Sequence, residues 1–328
     1  MTVPLSVLDL ATVDRDRTVG DALAASVDLA RAVEAAGYRR IWYAEHHNMG
    51  RIASSATAVL IAHIAANTAT IRLGSGGVML PNHSPLVIAE QFGTLAALHP
   101  GRIDLGLGRA PGTDQVTLRA LRRSPAASDS FPQDVLELKA FLSDTSAVTG
   151  VEAVPGKGTR VPLYILGSSL FGASLAAALG LPYGFASHFA PEALQQAVAL
   201  YRERFEPSDQ LDRPHVIAAL NVIAADDAAD AEEQLVRSRR SRVAAFLGRG
   251  RDRRFTEEEV DALVQSPQGL SIIGMGRYTA VGDPATVRQY LDDFTAHADA
   301  DELMLAFPSP SAEQRIRAAQ LTAEAVAA

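Results

Sequence analysis

Residues 39 to 49 read Arg-Arg-Ile-Trp-Tyr-Ala-Glu-His-His-Asn-Met, an apolar run that ends abruptly in an acid and two histidines. The apolar half is typical of a parallel strand that is buried on both faces. The polar half begins where such a strand would leave the core, and side chains at that point stand on a rigid element and face solvent. The stretch therefore predicts a buried strand with a functional site at its carboxyl end.

The composition is that of a soluble globular protein that acts on small molecules. The chain has 328 residues, of which 48% are hydrophobic and 21% charged, and its net charge is -8. No basic run is interleaved with aromatic residues, so a nucleic-acid surface is not expected. The absence of cysteine excludes disulfides and thiolate metal sites. The sequence contains no signal peptide and no 18-residue apolar run, so we expect a cytoplasmic protein without a membrane segment.

Short aliphatic or β-branched segments alternate with longer Ala- and Leu-rich segments of helical period. This alternation predicts an α/β fold built from βα units, and eight such units predict a (β/α)8 TIM barrel. The predicted strands are residues 3–9, 39–44, 71–80, 102–107, 162–166, 183–186, 215–224 and 302–307. The predicted helices are residues 22–36, 55–66, 84–98, 173–179, 191–205, 284–297 and 312–327.

The chain is longer than a minimal barrel, for which about 250 residues usually suffice. We assign the surplus to insertions after strands four and seven, at about residues 110–160 and 226–280. The second insertion contains a charged stretch, residues 237–254, and three consecutive acids at residues 257–259, which together predict a solvated helical face. No linker rich in Pro, Gly or Ser divides residues 1–328, so we expect a single domain.

Active sites of such barrels form at the carboxyl ends of the strands. After strand five, Gly167, Ser168 and Ser169 precede a helix, and the free N–H groups of a helix start attract anions such as phosphate. Arg109, which follows strand four, could add a positive charge. Alternatively, the serines are a simple helix cap and Arg109 is a surface residue. Residues 106–112 lack the spacing of a dinucleotide fingerprint, so no NAD site is predicted.

The third strand contains Gly74, Gly76 and Gly77. Glycine weakens a strand unless something must approach its backbone closely, so this density indicates either a flat ligand or tight packing inside the barrel.

The paired histidines after strand two favour acid/base chemistry. Consecutive side chains of a strand point in opposite directions, so His46 and His47 are poorly placed to share a metal ion, and no metal is expected. An imidazole at a barrel mouth has a pKa near neutral pH and suits proton transfer. The alternative is a structural histidine held by Glu45. His188, after strand six, could line the mouth and is the next candidate base, whereas His83 is interpreted as a loop residue.

Taken in order, the motifs of this chain resemble those of the bacterial luciferase-like flavin monooxygenase family. They are residues 42–47 (Trp-Tyr-Ala-Glu-His-His), 73–81 (Leu-Gly-Ser-Gly-Gly-Val-Met-Leu-Pro) with His83 and Pro85, 101–109 (Gly-Arg-Ile-Asp-Leu-Gly-Leu-Gly-Arg), 167–169 (Gly-Ser-Ser), 281–284 (Val-Gly-Asp-Pro) and 301–304 (Asp-Glu-Leu-Met). The resemblance extends over nearly the whole chain except the first insertion and residues 226–269.

The resemblance implies a barrel that binds reduced FMN at its mouth. Reaction with O2 would give a flavin C4a-hydroperoxide, which transfers oxygen to a small organic substrate. By match to the family motifs, His46 is the expected acid/base group. Glu45, His47 and His188 are expected in the substrate pocket.

The resemblance also implies which residues hold the flavin. Gly76 and Gly77, with Ser75 beside them, match a pair joined by a cis peptide bond that bulges against the flavin ring. A β-branched residue at Gly77 is then expected to impair flavin binding more than folding. Arg109 matches a phosphate-side arginine. The expected phosphate loop before the fifth helix consists of Ser168, Ser169 and Gly172.

The insertions do not match those of the light-emitting members, so light emission is not expected, and the closer likeness is to stand-alone members. No NADH site is evident, which implies that a separate flavin reductase supplies electrons. A homodimer is expected. Two other functions stay open: an oxidoreductase that depends on the deazaflavin coenzyme F420, and a flavin-binding protein without turnover. A metal or Schiff-base barrel enzyme is a more distant alternative, and the sequence does not identify the substrate.

Overall fold

Eight parallel strands close into a barrel, which confirms the predicted (β/α)8 fold. The protein is described here by a computed structural model that covers residues 3–110, 112–248 and 255–327. The strands in chain order are β1 (Leu5–Asp9), β2 (Arg40–Tyr43), β3 (Arg72–Met79), β4 (Ile103–Gly108), β5 (Leu163–Gly167), β6 (Tyr183–Phe185), β7 (Val216–Ala224), β8 (Thr279–Gly282) and β9 (Glu302–Ala306). The ring runs from β1 to β7 in sequence order, then through β9 and back to β1.

Strand β8 lies outside the ring and was not predicted. It pairs in parallel with residues 221–224, the carboxyl half of β7, and so extends the sheet beyond the barrel mouth. The strand has only four residues, of which two are glycine and threonine, and a segment this short and this weakly apolar carries little sequence signal.

Helices fill the connections between the strands. They are α1 (Val19–Ala35), α2 (Thr57–Ala65), α3 (Pro85–Leu98), α4 (Gln115–Ala120), α5 (Phe131–Leu142), α6 (Leu170–Leu179), α7 (Leu194–Glu203), α8 (Ala228–Leu247), α9 (Glu257–Gln265), α10 (Pro267–Gly274), α11 (Pro284–Ala298) and α12 (Ala312–Ala327), with short 3-10 helices at Leu80–Asn82 and Pro125–Ser128. Asp283 caps α11 by accepting a hydrogen bond from the Thr286 N–H at 2.8 Å. None of the helices in the described part of the chain is both long and apolar enough to cross a membrane.

The two predicted insertions contain more regular structure than the sequence indicated. In the first, α5 packs beside α3 in the outer helical layer, so this part of the segment is a barrel helix rather than surplus. In the second, α8, α9, α10 and β8 form the added structure, and α11 returns to the barrel. Arg240 of α8 forms ion pairs with Glu257 and Asp261 of α9, as expected for a solvated helical face. Residues 249–254 of the predicted charged stretch lie outside the described residues.

The strands bury side chains on both faces because alternate residues point toward the helices and into the barrel. The outward residues join the helices in one large core. The inward residues form a smaller cluster that fills the middle of the barrel. This cluster comprises Leu8, Trp42, Ala44, Tyr164, Ile217, Ala219 and Met304.

A buried ionic network closes the amino-terminal end of the barrel. The Arg40 side chain is 1% exposed, and its Nη1 donates to Asp104 Oδ2 and to the Tyr164 hydroxyl, both at 2.7 Å. Arg40 Nε lies 2.8 Å from Glu302 Oε1. Buried charges are tolerated when each one has partners. Since this end is filled, the opposite end is left for a site.

Candidate active site

A bulge in β3 shapes one wall of the barrel mouth. Ser75 pairs with Leu105 and Val78 with Leu107, so three steps along β3 match two along β4. The extra residue falls at Gly76 and Gly77, whose peptide bond is cis, as the family resemblance implied. Gly76 is partly exposed and Gly77 is buried. The Gly76 backbone is therefore the part of the bulge that a ligand in the mouth can reach.

Close packing against the β4 backbone requires glycine at Gly77, whereas a Cβ at Gly76 would first meet the movable end of a leucine side chain. A Cβ on Gly76 would lie 2.7 Å from Leu8 Cδ1, and a Cβ on Gly77 would lie 2.8 Å from the Gly106 carbonyl oxygen. A side chain at Gly77 would collide with the backbone of β4, so a β-branched residue there also has a folding cost. That it impairs flavin binding more than folding stays a prediction. Ser75 is fully buried and its Oγ donates to the Gly106 carbonyl at 2.8 Å. Ser75 therefore supports the bulge from behind.

Glu45 links two histidines from different loops. Its side chain is 1% exposed, and Oε1 lies 2.9 Å from His47 Nε2 and 2.8 Å from His83 Nε2. Oε2 accepts the Met79 backbone N–H at 3.0 Å, so the acid also pins the end of β3. His83, interpreted from sequence as a loop residue, is thus a second partner of Glu45 rather than a free side chain.

These contacts determine the protonation of Glu45 and His47. Burial would raise the pKa of Glu45, but the hydrogen bonds from His47 and His83 and the charge of His83 outweigh it and lower that pKa to about 2. The hydrogen bond that His47 donates to Glu45 raises the pKa of His47. No three acid or histidine side chains in the described ranges are arranged to hold a metal ion. Glu45 is therefore a carboxylate anion held between the imidazoles of His47 and His83.

The Glu45 carboxylate contacts histidines other than His46, in contrast to the alternative of a structural His46 held by Glu45. The carboxylate contacts His47 and His83, whereas His46 Nδ1 lies 3.4 Å from the carbonyl oxygen of Gly112 in the loop after β4. His46 is partly exposed. In the tautomer that donates Nδ1–H to Gly112, Nε2 keeps its lone pair and can accept a proton.

Arg109 and the start of α6 come together as the sequence predicted. The Arg109 guanidinium carbon lies 4.1 Å from the centre of the Phe171 ring, which belongs to the first turn of α6. No carboxylate in the described part of the chain lies within ion-pair distance of Arg109. The arrangement therefore presents an exposed positive charge beside a helix N-terminus.

The first turn of α6 leaves donors available. The helix begins at Leu170, three residues earlier than predicted, and Ser169 at its N-cap forms no capping hydrogen bond through its side chain. Among the described residues, neither Ser168 nor Ser169 uses its hydroxyl in a hydrogen bond. A Cβ on Gly172 would lie 3.3 Å from the Tyr183 ring, so glycine keeps this turn close to β6. The hydroxyls and the first N–H groups of α6 remain free to bind an anion.

His188 lies on the far side of the mouth, after β6. Its backbone carbonyl accepts a hydrogen bond from Asn221 Nδ2 at 2.8 Å, and its Nδ1 is buried without a partner. Burial, the charge of Arg242 and the charge of His46 lower the pKa of His188 to about 3. His188 therefore stays neutral near pH 7 and is a poor general base, contrary to its rank as the next candidate.

Helix α8 brings the second insertion to this mouth. Arg51, in the loop after β2, donates from Nη1 to Ser241 Oγ of α8 at 2.5 Å. The next residue, Arg242, is the one whose charge acts on His188. From sequence, Arg242 belongs to the charged stretch that predicts a solvated helical face, and its position at the mouth was missed because most charged side chains of this helix are exposed.

Comparison with known proteins identifies the family. A sequence profile of luciferase-like monooxygenases matches residues 3–300. The chain is 48% identical over 305 residues to a luciferase-like monooxygenase of Escherichia coli K12, which covers 93% of this chain and 91% of that protein. The chain belongs to the luciferase-like monooxygenase family. It is also 32% identical over 335 residues to the N-acetyl-S-alkylcysteine monooxygenase of Bacillus subtilis, covering 99% of both.

Solved structures agree with this luciferase-like monooxygenase fold. The apo structure of MsnO8 superposes with a TM-score of 0.84 at 34% identity and covers 99% of this chain and 98% of its own. Two more distant structures share the fold alone. One is an FMN complex of the 3,6-diketocamphane monooxygenase oxygenating constituent of Pseudomonas putida, with a TM-score of 0.72, 15% identity and 99% and 97% coverage. The other is an F420-dependent secondary alcohol dehydrogenase, with a TM-score of 0.71, 16% identity and 99% coverage of each chain. This fold thus hosts both flavin and F420.

Proposed function

We propose that this luciferase-like monooxygenase binds reduced FMN and uses it with O2 to oxygenate a small organic substrate. The observation that carries the proposal is Arg109, a cation without a carboxylate partner among the described residues, stacked on Phe171 at the uncapped start of α6. A phosphate there would accept hydrogen bonds from the α6 N–H groups, the Ser168 and Ser169 hydroxyls and the Arg109 guanidinium. These donors fit the phosphate of FMN.

The remaining site residues have complementary tasks. Gly76 would offer its backbone to the flat ring of the flavin. His46, with Nδ1–H on the Gly112 carbonyl, would move protons through Nε2. Glu45 would keep the end of β3 in place through the Met79 N–H, and would hold His47 and His83 at the rim of the substrate pocket.

Bound reduced FMN would supply the two electrons that activate O2. One oxygen atom then enters the substrate and the other leaves as water, so each turnover consumes one reduced FMN and one O2. The chain would receive reduced FMN from a separate flavin reductase. The N-acetyl-S-alkylcysteine monooxygenase relative makes N-acetyl-S-alkylcysteines the first compounds to assay. We also infer a homodimer, which light scattering would test.

The phosphate assignment is tested by comparing FMN with riboflavin, which lacks the phosphate. We expect Arg109→Ala to weaken FMN binding by about 1.5–3 kcal/mol, or roughly 10- to 150-fold, because a hydrogen-bonded charge pair is lost. Riboflavin affinity should not change. Arg119→Ala, at an exposed arginine of α4, is the matched control. Unchanged FMN affinity in Arg109→Ala, measured by titration, would remove Arg109 from the site.

Turnover with a flavin reductase, NADH and ¹⁸O2 tests the reaction. We expect one labelled oxygen in the product and one in water. If the protein binds F420 instead of FMN and oxidises substrates without consuming O2, it is a deazaflavin-dependent oxidoreductase. If FMN binds at the phosphate site but no compound is oxygenated, the protein is a flavin-binding protein without turnover.

A further inference from the structure

Arg242 is a half-buried cation that has no counterion among the described residues. No carboxylate in residues 3–110, 112–248 or 255–327 lies within ion-pair distance of its guanidinium. Arg240, two residues earlier on the same helix, has two carboxylate partners on α9. Withdrawing a charge from water is costly unless an opposite charge compensates it. A partially buried arginine without a partner is therefore a candidate for binding an anionic ligand.

The surroundings of Arg242 place it at the active-site mouth. Its neighbour Ser241 is hydrogen-bonded to Arg51 of the loop that follows β2 and His46. Arg242 Nη1 lies 3.0 Å from where a Cβ on Gly276 would be, so it extends from α8 toward the turn between α10 and β8. That turn leads into β8, where Thr279 pairs with Asn221 of β7. Asn221 in turn donates a hydrogen bond to the His188 carbonyl, so the turn lies near His188.

A cavity lies next to Gly276, the residue that the Arg242 guanidinium approaches, although Arg242 itself is not among its lining residues. A cavity of about 500 Å³ lies between α8, α10 and β8 and is bordered by Gly276. Arg239 and Arg277 line it together with one acid, Glu192, so its charge is positive on balance. Burial lowers the pKa of Arg242, and burial together with the charge of Arg242 lowers the pKa of His188. A bound anion would oppose both shifts because it stabilises the charged form of each side chain.

We propose that Arg242 anchors a carboxylate of the organic substrate at the mouth of the barrel. This inference rests on the proposed monooxygenase function, which it deepens by naming the substrate as an organic acid. Arg242 belongs to the inserted helix α8 and its charge acts on His188 at the barrel mouth, so the carboxylate would be held on the insertion side while the reacting part of the molecule points toward the bulge at Gly76. Arg242 then selects the substrate and takes no part in proton transfer.

The test compares carboxylates with their neutral amides. The probes are acetate, hexanoate and phenylacetate, each with its primary amide, titrated calorimetrically into the wild-type protein with and without FMN. An ion pair with Arg242 should make each acid that fits bind about 10- to 150-fold more tightly than its amide. Arg242→Gln should abolish this preference, and Arg242→Lys should retain part of it.

Arg237→Gln is the matched control, since it removes the same charge from an exposed position of α8. This variant should keep the wild-type preference for acids. The proposal is overturned if no acid binds wild-type protein more tightly than its amide up to the solubility limit, or if Arg242→Gln keeps the preference. Because the titration is repeated without FMN, loss of FMN binding would count against the proposed function and leave the test of Arg242 intact.

Discussion

The two adjacent histidines of this luciferase-like monooxygenase have different environments because consecutive side chains at a strand end diverge. His47 turns to the buried carboxylate of Glu45, while His46 turns to the carbonyl of Gly112. The His47 imidazole is thus held by an ion pair, whereas His46 Nδ1 lies beside a backbone carbonyl. We propose that His46 is the imidazole that exchanges protons with a ligand during turnover.

Replacing His46 by alanine should slow turnover by about 10²- to 10⁴-fold, because a positioned acid/base group is lost. FMN affinity should be unchanged, since the phosphate donors lie on Arg109 and α6. The measurement is the rate of flavin oxidation and product formation across pH. His63→Ala, at an exposed histidine of α2, serves as the control. A His46→Ala enzyme with the wild-type rate and pH profile would show that His46 is structural.

Replacing Glu45 by glutamine should remove a pH-dependent contribution to stability. The pKa of Glu45 falls from an ordinary 4.5 to about 2, so its contribution, about 3 kcal/mol, is present above pH 4.5 and is lost as the pH falls toward 2. The raised pKa of His47 gives a contribution that is present below pH 6.5 and is lost as the pH rises through that raised value.

The difference in Tm between wild type and Glu45→Gln should therefore be largest between about pH 4.5 and 6.5 and should shrink on either side. Thermal unfolding followed by circular dichroism over this range measures it. Glu232→Gln, at an exposed position of α8, controls for loss of a surface charge. A difference in Tm that does not vary with pH would mean that the protonation of Glu45 is not coupled to folding.

Among the secondary-structure elements, β3 and β4 are held together by close backbone contact at the bulge. Ser75 Oγ bonds to the Gly106 carbonyl, and Gly77 packs against the same group. This contact is closer than any side chain permits, which explains why glycines occur on both strands where the barrel opens. The shape of the mouth therefore depends on both strands, and a substitution on β4 should disturb it as much as one on β3.

We expect Gly106→Ala to destabilise the protein by about 1–3 kcal/mol or more, since overpacking forces the backbone apart. Its Cβ would lie 2.2 Å from the Ser75 carbonyl oxygen and 2.9 Å from Leu166 Cδ1. Urea unfolding gives the loss. Gly20→Ala is the control, because the nearest atom to its Cβ is 3.6 Å away within α1, and alanine in a helix should add about 0.5–1 kcal/mol. Equal effects of the two changes would rule out this steric account.

At the level of the complete barrel, the buried ionic network and the candidate site residues lie at opposite ends. The amino-terminal end is filled by Arg40 and its acidic partners, and the carboxyl end carries the histidines, Arg109 and the insertion helix α8. This separation means that the ionic network can be altered without touching the proposed cofactor site. It is also common to such barrels that active-site residues collect at the carboxyl ends of the strands.

Arg40→Met should cost about 3–5 kcal/mol of stability, because it leaves Asp104 and Glu302 buried without their main positive partner. FMN affinity of the folded fraction should be unchanged. Arg39→Met, at the residue just before β2, is the control, since Arg39 lies 3.6 Å from Glu302 with its side chain 45% exposed and should contribute at most about 1 kcal/mol. If urea unfolding shows the two variants to be equally stable, the buried ionic network is not required for stability.

The local pattern of residues was enough to predict the barrel and all eight of its strands. Strand and helix periods are properties of neighbouring residues, and polar clusters after apolar runs mark strand ends wherever the strands lie in space. The meeting of Arg109 with the start of α6 also followed from sequence, because adjacent parallel strands end side by side.

Partners that come from separate loops depended on the folded chain. Glu45 joins His83, which lies 38 positions away, and the inward turn of Arg242 depends on how α8 crosses the mouth. Strand β8 likewise forms only because the carboxyl half of β7 offers it an open edge. Such pairings are set by the relative placement of loops and by competition for buried carboxylates. Neither quantity is encoded in the spacing of residues along the chain.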